Sequence, residues 1–230
     1  MIKRQHQEVL VRKLSDRKAL ILLGPRQVGK STLYQILEKQ FTTPVIWWSG
    51  DESDVRNFLK EPTSTKLKSL IGDAKTVVID EAQRIENIGV CIKLITDQIK
   101  DVKVLATGSS AFDLANKINE PLTGRKWEYH LFPLSFSEMV SHTSLTEEKR
   151  LLENRLVYGY YPEIVTSNGH QAELLKQLTN SYLYKDILTW DRIQKPDKLE
   201  KLVQALAFQT AQQISCHEIG QLCGLNSETV

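Results

Sequence analysis

Gly24-Pro25-Arg26-Gln27-Val28-Gly29-Lys30-Ser31 sets two glycines, a lysine and a hydroxyl at the spacing G-x-x-x-x-G-K-S. These residue types suit one kind of chemistry. The glycines let the backbone curl until successive N–H groups converge on an anion. Lys30 adds a point charge that reaches the outer phosphates of a nucleotide, and the Ser31 hydroxyl is a hard ligand for Mg2+. A second set, Asp80-Glu81, closes the β-branched run Thr76-Val77-Val78-Ile79. Adjacent acids at a strand end can divide two tasks. Asp80 can hold Mg2+ through its water shell, while Glu81 orients and deprotonates an attacking water.

Such side chains need elements that hold them at one sheet edge. The apolar run Ala19–Leu23 reads as a buried strand leading into the loop, and Leu33, Ile36 and Leu37 mark a helix leaving it. That helix start contributes its positive dipole end and unpaired N–H groups. Val102–Ala106 predicts another strand, ending in Thr107-Gly108-Ser109-Ser110. A small polar side chain there senses the γ-phosphate or positions the water, and Ser109 is the candidate. The competing role for Ser109 or Ser110 is N-cap of a helix over Ala111–Lys117. Leu122-Thr123-Gly124-Arg125 precedes a fifth strand, Trp127–Phe132. Arg125 is thereby placed on a loop at the edge of the sheet. It either neutralises charge on a transferred phosphoryl group across a subunit boundary or is a surface arginine.

The remaining elements follow by pattern. Ile2–Leu14 predicts a short amphipathic helix, with Arg4 expected in solvent rather than against a bound base. Thr43–Trp48 predicts a second strand, whose paired tryptophans must face opposite sides of the sheet and are assigned to packing. Asp51–Leu70 predicts two short helices capped by Asp51 and by Thr63 or Ser64. Ile88, Cys91, Ile92, Leu94, Ile95 and Ile99 trace another helix.

The bulk composition is that of an ordinary globular chain. Its 230 residues carry a net charge of +2, so any basic surface for nucleic acid would have to be local. Apolar residues make up 41%, enough for a sizeable core. Cys91, Cys216 and Cys223 form a sparse, odd set without zinc-ligand spacing, which fits a reducing compartment. No apolar run approaches the roughly 18 residues of a membrane span, and no signal peptide is evident. A cytoplasmic location is expected, without membrane partners.

The set GPRQVGKST, VVIDEAQR, LATGSSAFDL, LTGRKWEYHLFPLSFSE and YGYYPEIV resembles a prokaryotic family of AAA-superfamily ATPases. The resemblance covers essentially the whole chain, and the order of motifs is more specific than any one of them. It implies an α/β P-loop NTPase fold with a parallel five-stranded sheet in the order 5-1-4-3-2, followed by an all-α lid and the start of a winged helix-turn-helix. The implied domains are residues 1–141 for ATP binding, 142–195 for the lid and 196–230 for an incomplete winged-helix-like module. It implies that Gly24 through Thr32 bind ATP, that Ser31 and Asp80 hold Mg2+, and that Lys30 and Glu81 serve the reaction. Ser109 matches a first sensor in placement, and Arg125 resembles an arginine finger acting within a homo-oligomer.

Two departures stand out. Gly159-Tyr160-Tyr161-Pro162 carries Tyr160 where relatives have a second glycine; this segment, with Pro162, is expected near the adenine. No second sensor arginine is evident.

From Leu145 the pattern is helical, through Leu151, Leu152, Leu156, Val157, Leu174, Leu175, Leu178, Tyr182, Leu183, Ile187 and Leu188. Leu199–Gln213 predicts a further helix, and Ser215-Cys216-His217-Glu218 is a capping-box match opening another. Asn226 or Ser227 is expected to start one more that stops at Val230. The family normally continues beyond this point, so a truncated chain is expected. The favoured function is Mg2+-dependent hydrolysis of ATP to ADP and phosphate, coupled to movement of the C-terminal helices. A slow-turnover switch acting on an unidentified protein client is the alternative. Nucleic acid is the less favoured partner, because the few residues of the last helix include no base.

Overall fold

Strand β1 (Ala19–Leu23) has no polar side chain, and all five residues are buried, as befits a strand covered on both faces. The computed structural model describes residues 2–108, 121–167, 169–180, 196–210 and 212–227. With β2 (Val45–Ser49), β3 (Thr76–Asp80), β4 (Lys103–Gly108) and β5 (Lys126–His130), β1 builds one sheet in the order β2-β3-β4-β1-β5. Every pairing is parallel. This is the order 5-1-4-3-2 implied by the family resemblance. The register sets Leu22 beside both Thr107 and Tyr129, and Ile79 beside Ala106.

Parity along the strands divides the core. Ala19, Ile21, Leu23, Val77, Ile79, Val104 and Ala106 face one side, under α3 (Ser53–Leu59), α4 (Ser64–Ile71) and α5 (Ile88–Gln98). Leu20, Leu22, Val78 and Leu105 face the other, under α1 (Gln5–Lys13) and α2 (Lys30–Glu38). The tryptophans follow the same rule. Trp48 packs edge-on against Phe58 in the first cluster, whereas Trp47 joins the second and donates to Glu38 at 3.0 Å. The Tyr34 hydroxyl pins α2 to the sheet by hydrogen bonds to the carbonyls of Leu20 and Ala106. Lys103 ties the α1–β1 turn, donating to the carbonyls of Lys13, Asp16 and Lys18.

Some boundaries differ from expectation for local reasons. Asp51 does not cap α3; it pairs with Arg84 at 2.8 Å, and Glu52 holds the N-cap position without a side-chain bond. Thr63 does cap α4, accepting from the Lys66 N–H. The helix expected over Ala111–Lys117 lies outside the described residues.

After β5 come α6 (Phe136–His142), α7 (Leu145–Arg150), α8 (Leu152–Tyr158) and α9 (Pro162–Thr166). Ser135 and Glu138 form a reciprocal capping box at the start of α6. A buried ion pair, Arg155 to Glu148 at 3.2 Å, joins α8 to α7. These helices belong with the sheet in one compact unit, residues 1–166.

Residues 167–230 form a second unit. It contains α10 (Gln171–Thr179), α11 (Pro196–Phe208) and α12 (Cys216–Cys223). Leu202, Ile219 and Cys223 pack together, and Ser215 caps α12 by accepting from the Glu218 N–H. The apolar positions Tyr182, Leu183, Ile187 and Leu188, and residues 228–230 of the expected last helix, lie outside the described residues.

Candidate nucleotide site

The loop from Gly24 to Gly29 leaves the carboxyl end of β1 and turns into α2, so its backbone and the helix start meet at one sheet edge. The Gly24 N–H bonds to the Gly108 carbonyl at 3.2 Å, which ties the loop entrance to β4. Gln27 is exposed and left-handed at φ 61, and Gly29 serves as N-cap of α2 at φ 92. A side chain at position 29 would be strained in that conformation. Lys30 is only 5% exposed, and its ammonium donates to the carbonyls of Gly24 and Pro25 at 2.9 and 2.8 Å. The lysine thus folds back over the loop that it serves.

Ser31, the next residue, reaches the acids of β3. Its hydroxyl lies 2.9 and 2.8 Å from the two oxygens of the Asp80 carboxylate. Buried Thr107, at the end of β4, also donates to Asp80, and its hydroxyl accepts the Glu81 N–H at 3.1 Å. Glu81 lies just past the strand in left-handed backbone at φ 48, and Gln83 donates to its carboxylate at 2.6 Å. Behind this turn, the Gly50 N–H bonds to the Asp80 carbonyl at 2.8 Å. A Cβ at Gly50 would come within 2.3 Å of the Glu81 carbonyl oxygen, so only glycine fits without displacing that turn.

A hydroxyl beside a carboxylate is a hard-oxygen donor pair. Among the described residues no group of three or more His, Cys, Asp or Glu could hold a metal. An ion here would complete its shell from water and phosphate oxygens, which is how Mg2+ is commonly held. Ser31 and Asp80 fit that ion.

Beside the loop lies a cavity of about 370 Å3 with mostly apolar walls, including Ile2, Val28, Leu33, Ile36, Leu134 and Pro162. Thr32 and Glu163 add polar groups to the lining. Arg4 also lines it, and here the sequence expectation of a solvated arginine is overturned. Arg4 is buried and donates to Glu138 at 3.1 Å, to the Val28 carbonyl at 2.9 Å and to the Phe132 carbonyl. The cause is a carboxylate 134 positions away, with two carbonyls completing the cradle. Burial draws the Arg4 guanidinium below its ordinary value despite the charge of Glu138. Burial alone would raise the Glu138 carboxyl. The N–H groups of Ser135 and Gln5, with Arg4, hold it below the usual range instead.

The structure brings Lys30, Ser31, Asp80, Glu81 and the loop residues together, with Pro162 on the neighbouring cavity. Ser109 lies outside the described residues. Arg125 does not join the site of its own chain. Its carbonyl accepts the Ala19 N–H at the amino end of β1, whereas the loop leaves the carboxyl end, roughly 16 Å away along five strand residues. Its guanidinium pairs with Asp97 at 2.7 Å. Thr107, Gln83 and Arg4 are the contributors that sequence reasoning passed over. The available signal was the small polar cluster closing β4 for Thr107 and the motif VVIDEAQR for Gln83; Arg4 carries none without the fold.

No helix among the described residues is long and apolar enough to cross a membrane. A profile described as an AAA domain matches residues 16–140, and one described as a domain of unknown function (DUF8612) matches residues 149–230. An uncharacterized protein of Haemophilus influenzae is 23% identical over 91% of this chain and 56% of its own length. One from Mycobacterium tuberculosis is 29% identical over 54% of this chain and 27% of its own length. The chain thus spans about a quarter to just over half of these relatives. Among solved structures, a Walker-type ATPase of Pyrococcus abyssi superposes with a TM-score of 0.58 at 15% identity, over 97% of this chain and 90% of that one. The AAA match extends over more than half of the 230 residues and contains both the phosphate loop and the acidic strand end, so the chain belongs to the AAA domain family of P-loop ATPases.

Proposed function

We propose that this domain binds ATP and hydrolyses it to ADP and phosphate in a Mg2+-dependent reaction. The observation that carries the reading is the contact of Ser31 with both oxygens of Asp80, with Glu81 next in sequence at the same sheet edge. In this reading the backbone N–H groups of residues 24–32 receive the phosphates. Lys30 leaves the carbonyls of Gly24 and Pro25 to bind the β- and γ-phosphate oxygens. Ser31 and Asp80 would hold Mg2+, which when bound neutralises charge on those oxygens. Glu81 takes a proton from water as the water oxygen bonds to the γ-phosphorus. The bond from that phosphorus to the bridging oxygen breaks, and ADP leaves with the oxygen. The cavity beside Val28 and Pro162 takes the adenine. Leu134 and Pro162 line it, so occupancy touches the segment after β5, and we propose that hydrolysis is coupled to conformational change in the C-terminal helical region.

Steady-state phosphate release, together with ATP binding, tests the proposal. Glu81→Gln retains ATP and loses turnover, whereas Lys30→Ala loses ATP itself. If Glu81→Gln hydrolyses ATP at the parental rate, the base assignment is wrong. If the parent binds ATP but turns over no faster than Glu81→Gln, the domain is a nucleotide-held switch.

A further inference from the structure

We infer that Gln83 is a positioning residue for hydrolysis, its side-chain amide holding one oxygen of the Glu81 carboxylate so that the other faces the attacking water. This rests on the reading of Glu81 as the base. Glu81 sits beyond β3 in left-handed backbone, and the 3-10 turn Ala82–Arg84 that follows brings Gln83 back against it. Gln83 is 9% exposed, and its Nε2 donates to Glu81 Oε2 at 2.6 Å. The Thr107 hydroxyl accepts the Glu81 N–H at 3.1 Å. Backbone and one carboxylate oxygen are therefore both tied, which leaves little freedom to a side chain with three rotatable bonds.

The two acids are held by different chemistry. Asp80 receives the hydroxyls of Ser31 and Thr107, while Glu81 receives an amide. An amide is suited to a base because it orients the carboxylate without adding charge. A lysine or arginine at the same place would form an ion pair and weaken the carboxylate as a proton acceptor. Positioning matters at this scale, since reacting groups must sit within about 0.5 Å of productive geometry.

Steady-state kinetics on Gln83→Ala and Gln83→Glu, alone and combined with Glu81→Gln, test the inference. Glutamate keeps the shape but replaces the donor with an acceptor of like charge. Both single variants should lower kcat by about 10- to 100-fold, with KM and ATP affinity unchanged. In the Glu81→Gln background neither should have any further effect, because Gln83 acts through that carboxylate. If Gln83→Ala keeps the parental kcat while Glu81→Gln is inactive, the positioning role is wrong and the base assignment stands. If Glu81→Gln itself turns over normally, the base assignment fails. Loss of ATP affinity in Gln83→Glu would make the residue a structural support and overturn the inference. Should Gln83→Ala not fold, the isosteric glutamate variant decides alone.

Discussion

Replacing Arg4 with alanine removes a buried, multiply bonded charge beside the phosphate loop. The guanidinium makes hydrogen bonds to Glu138, to the Val28 carbonyl and to the Phe132 carbonyl, and the Arg4 and Glu138 side chains are 9% and 4% exposed. Breaking a buried pair from one side costs about 3–5 kcal/mol, because the remaining charge has lost its partner. Glu138 still accepts from the N–H groups of Gln5 and Ser135 at 2.8 and 2.9 Å, which places the expected cost near about 3 kcal/mol. For a domain of this size that lowers Tm by about 6–12 °C. Thermal denaturation followed by circular dichroism, without nucleotide, measures it. Glu138→Ala should cost a similar amount, and the double variant should cost clearly less than the sum, because the two share one interaction. ATP affinity should fall as well, since the Val28 carbonyl loses its brace. A Tm within about 2 °C of the parent would refute the reasoning, since that is under 1 kcal/mol, in the range of a solvated surface pair.

Four further outcomes are expected. Thr107→Val keeps the shape of a fully buried side chain but strips the hydroxyl from Asp80 and Glu81. It should cost about 1–3 kcal/mol in urea unfolding and lower kcat. Ser31→Ala should raise the Mg2+ concentration needed for half-maximal phosphate release, and excess chelator should abolish release in the parent. Arg125→Ala should slow turnover with ATP binding kept, and activity should return on mixing with Lys30→Ala subunits; an unaltered rate assigns Arg125 to its pair with Asp97 alone. Acid should destabilise the domain through His6. Its imidazole is pushed down by burial and by the neighbouring Arg4 charge, against the pull of Glu138. The unfolded chain therefore binds a proton near pH 6.5 that the folded one resists. Stability is full above that pH and lost as pH falls through it, and His6→Gln should flatten Tm between about pH 7 and 5.5.

The central strands and the phosphate loop were legible because their information is local. Ala19–Leu23 is apolar throughout, and the loop spells its purpose within eight residues. The pairing of Ser31 with Asp80 was legible one level up, from the rule that ligands gather at the carboxyl ends of parallel strands. Thr107 was harder. Its importance comes from the β3–β4 register, which the composition of neither strand specifies. Gln83 belongs to the motif VVIDEAQR, but its burial by a three-residue turn is set by the fold. Arg4 was misjudged because arginine is usually exposed, and the carboxylate that draws it inward lies on α6, after the last strand. The β5 boundary also shifted: its strand begins at Lys126 and ends at His130, with polar residues alternating along a half-exposed sheet edge.

The close approach at Gly50 gives β2 leverage over a group it never touches chemically. A single methyl there would act as a wedge beneath the bend at Glu81, with the side chain of Arg84 blocking escape to one side. The Glu81 bend can therefore be displaced from behind the sheet edge without a change to the 24–31 loop sequence. Wherever this strand end is pushed, the carboxylate we propose as the proton acceptor moves with it.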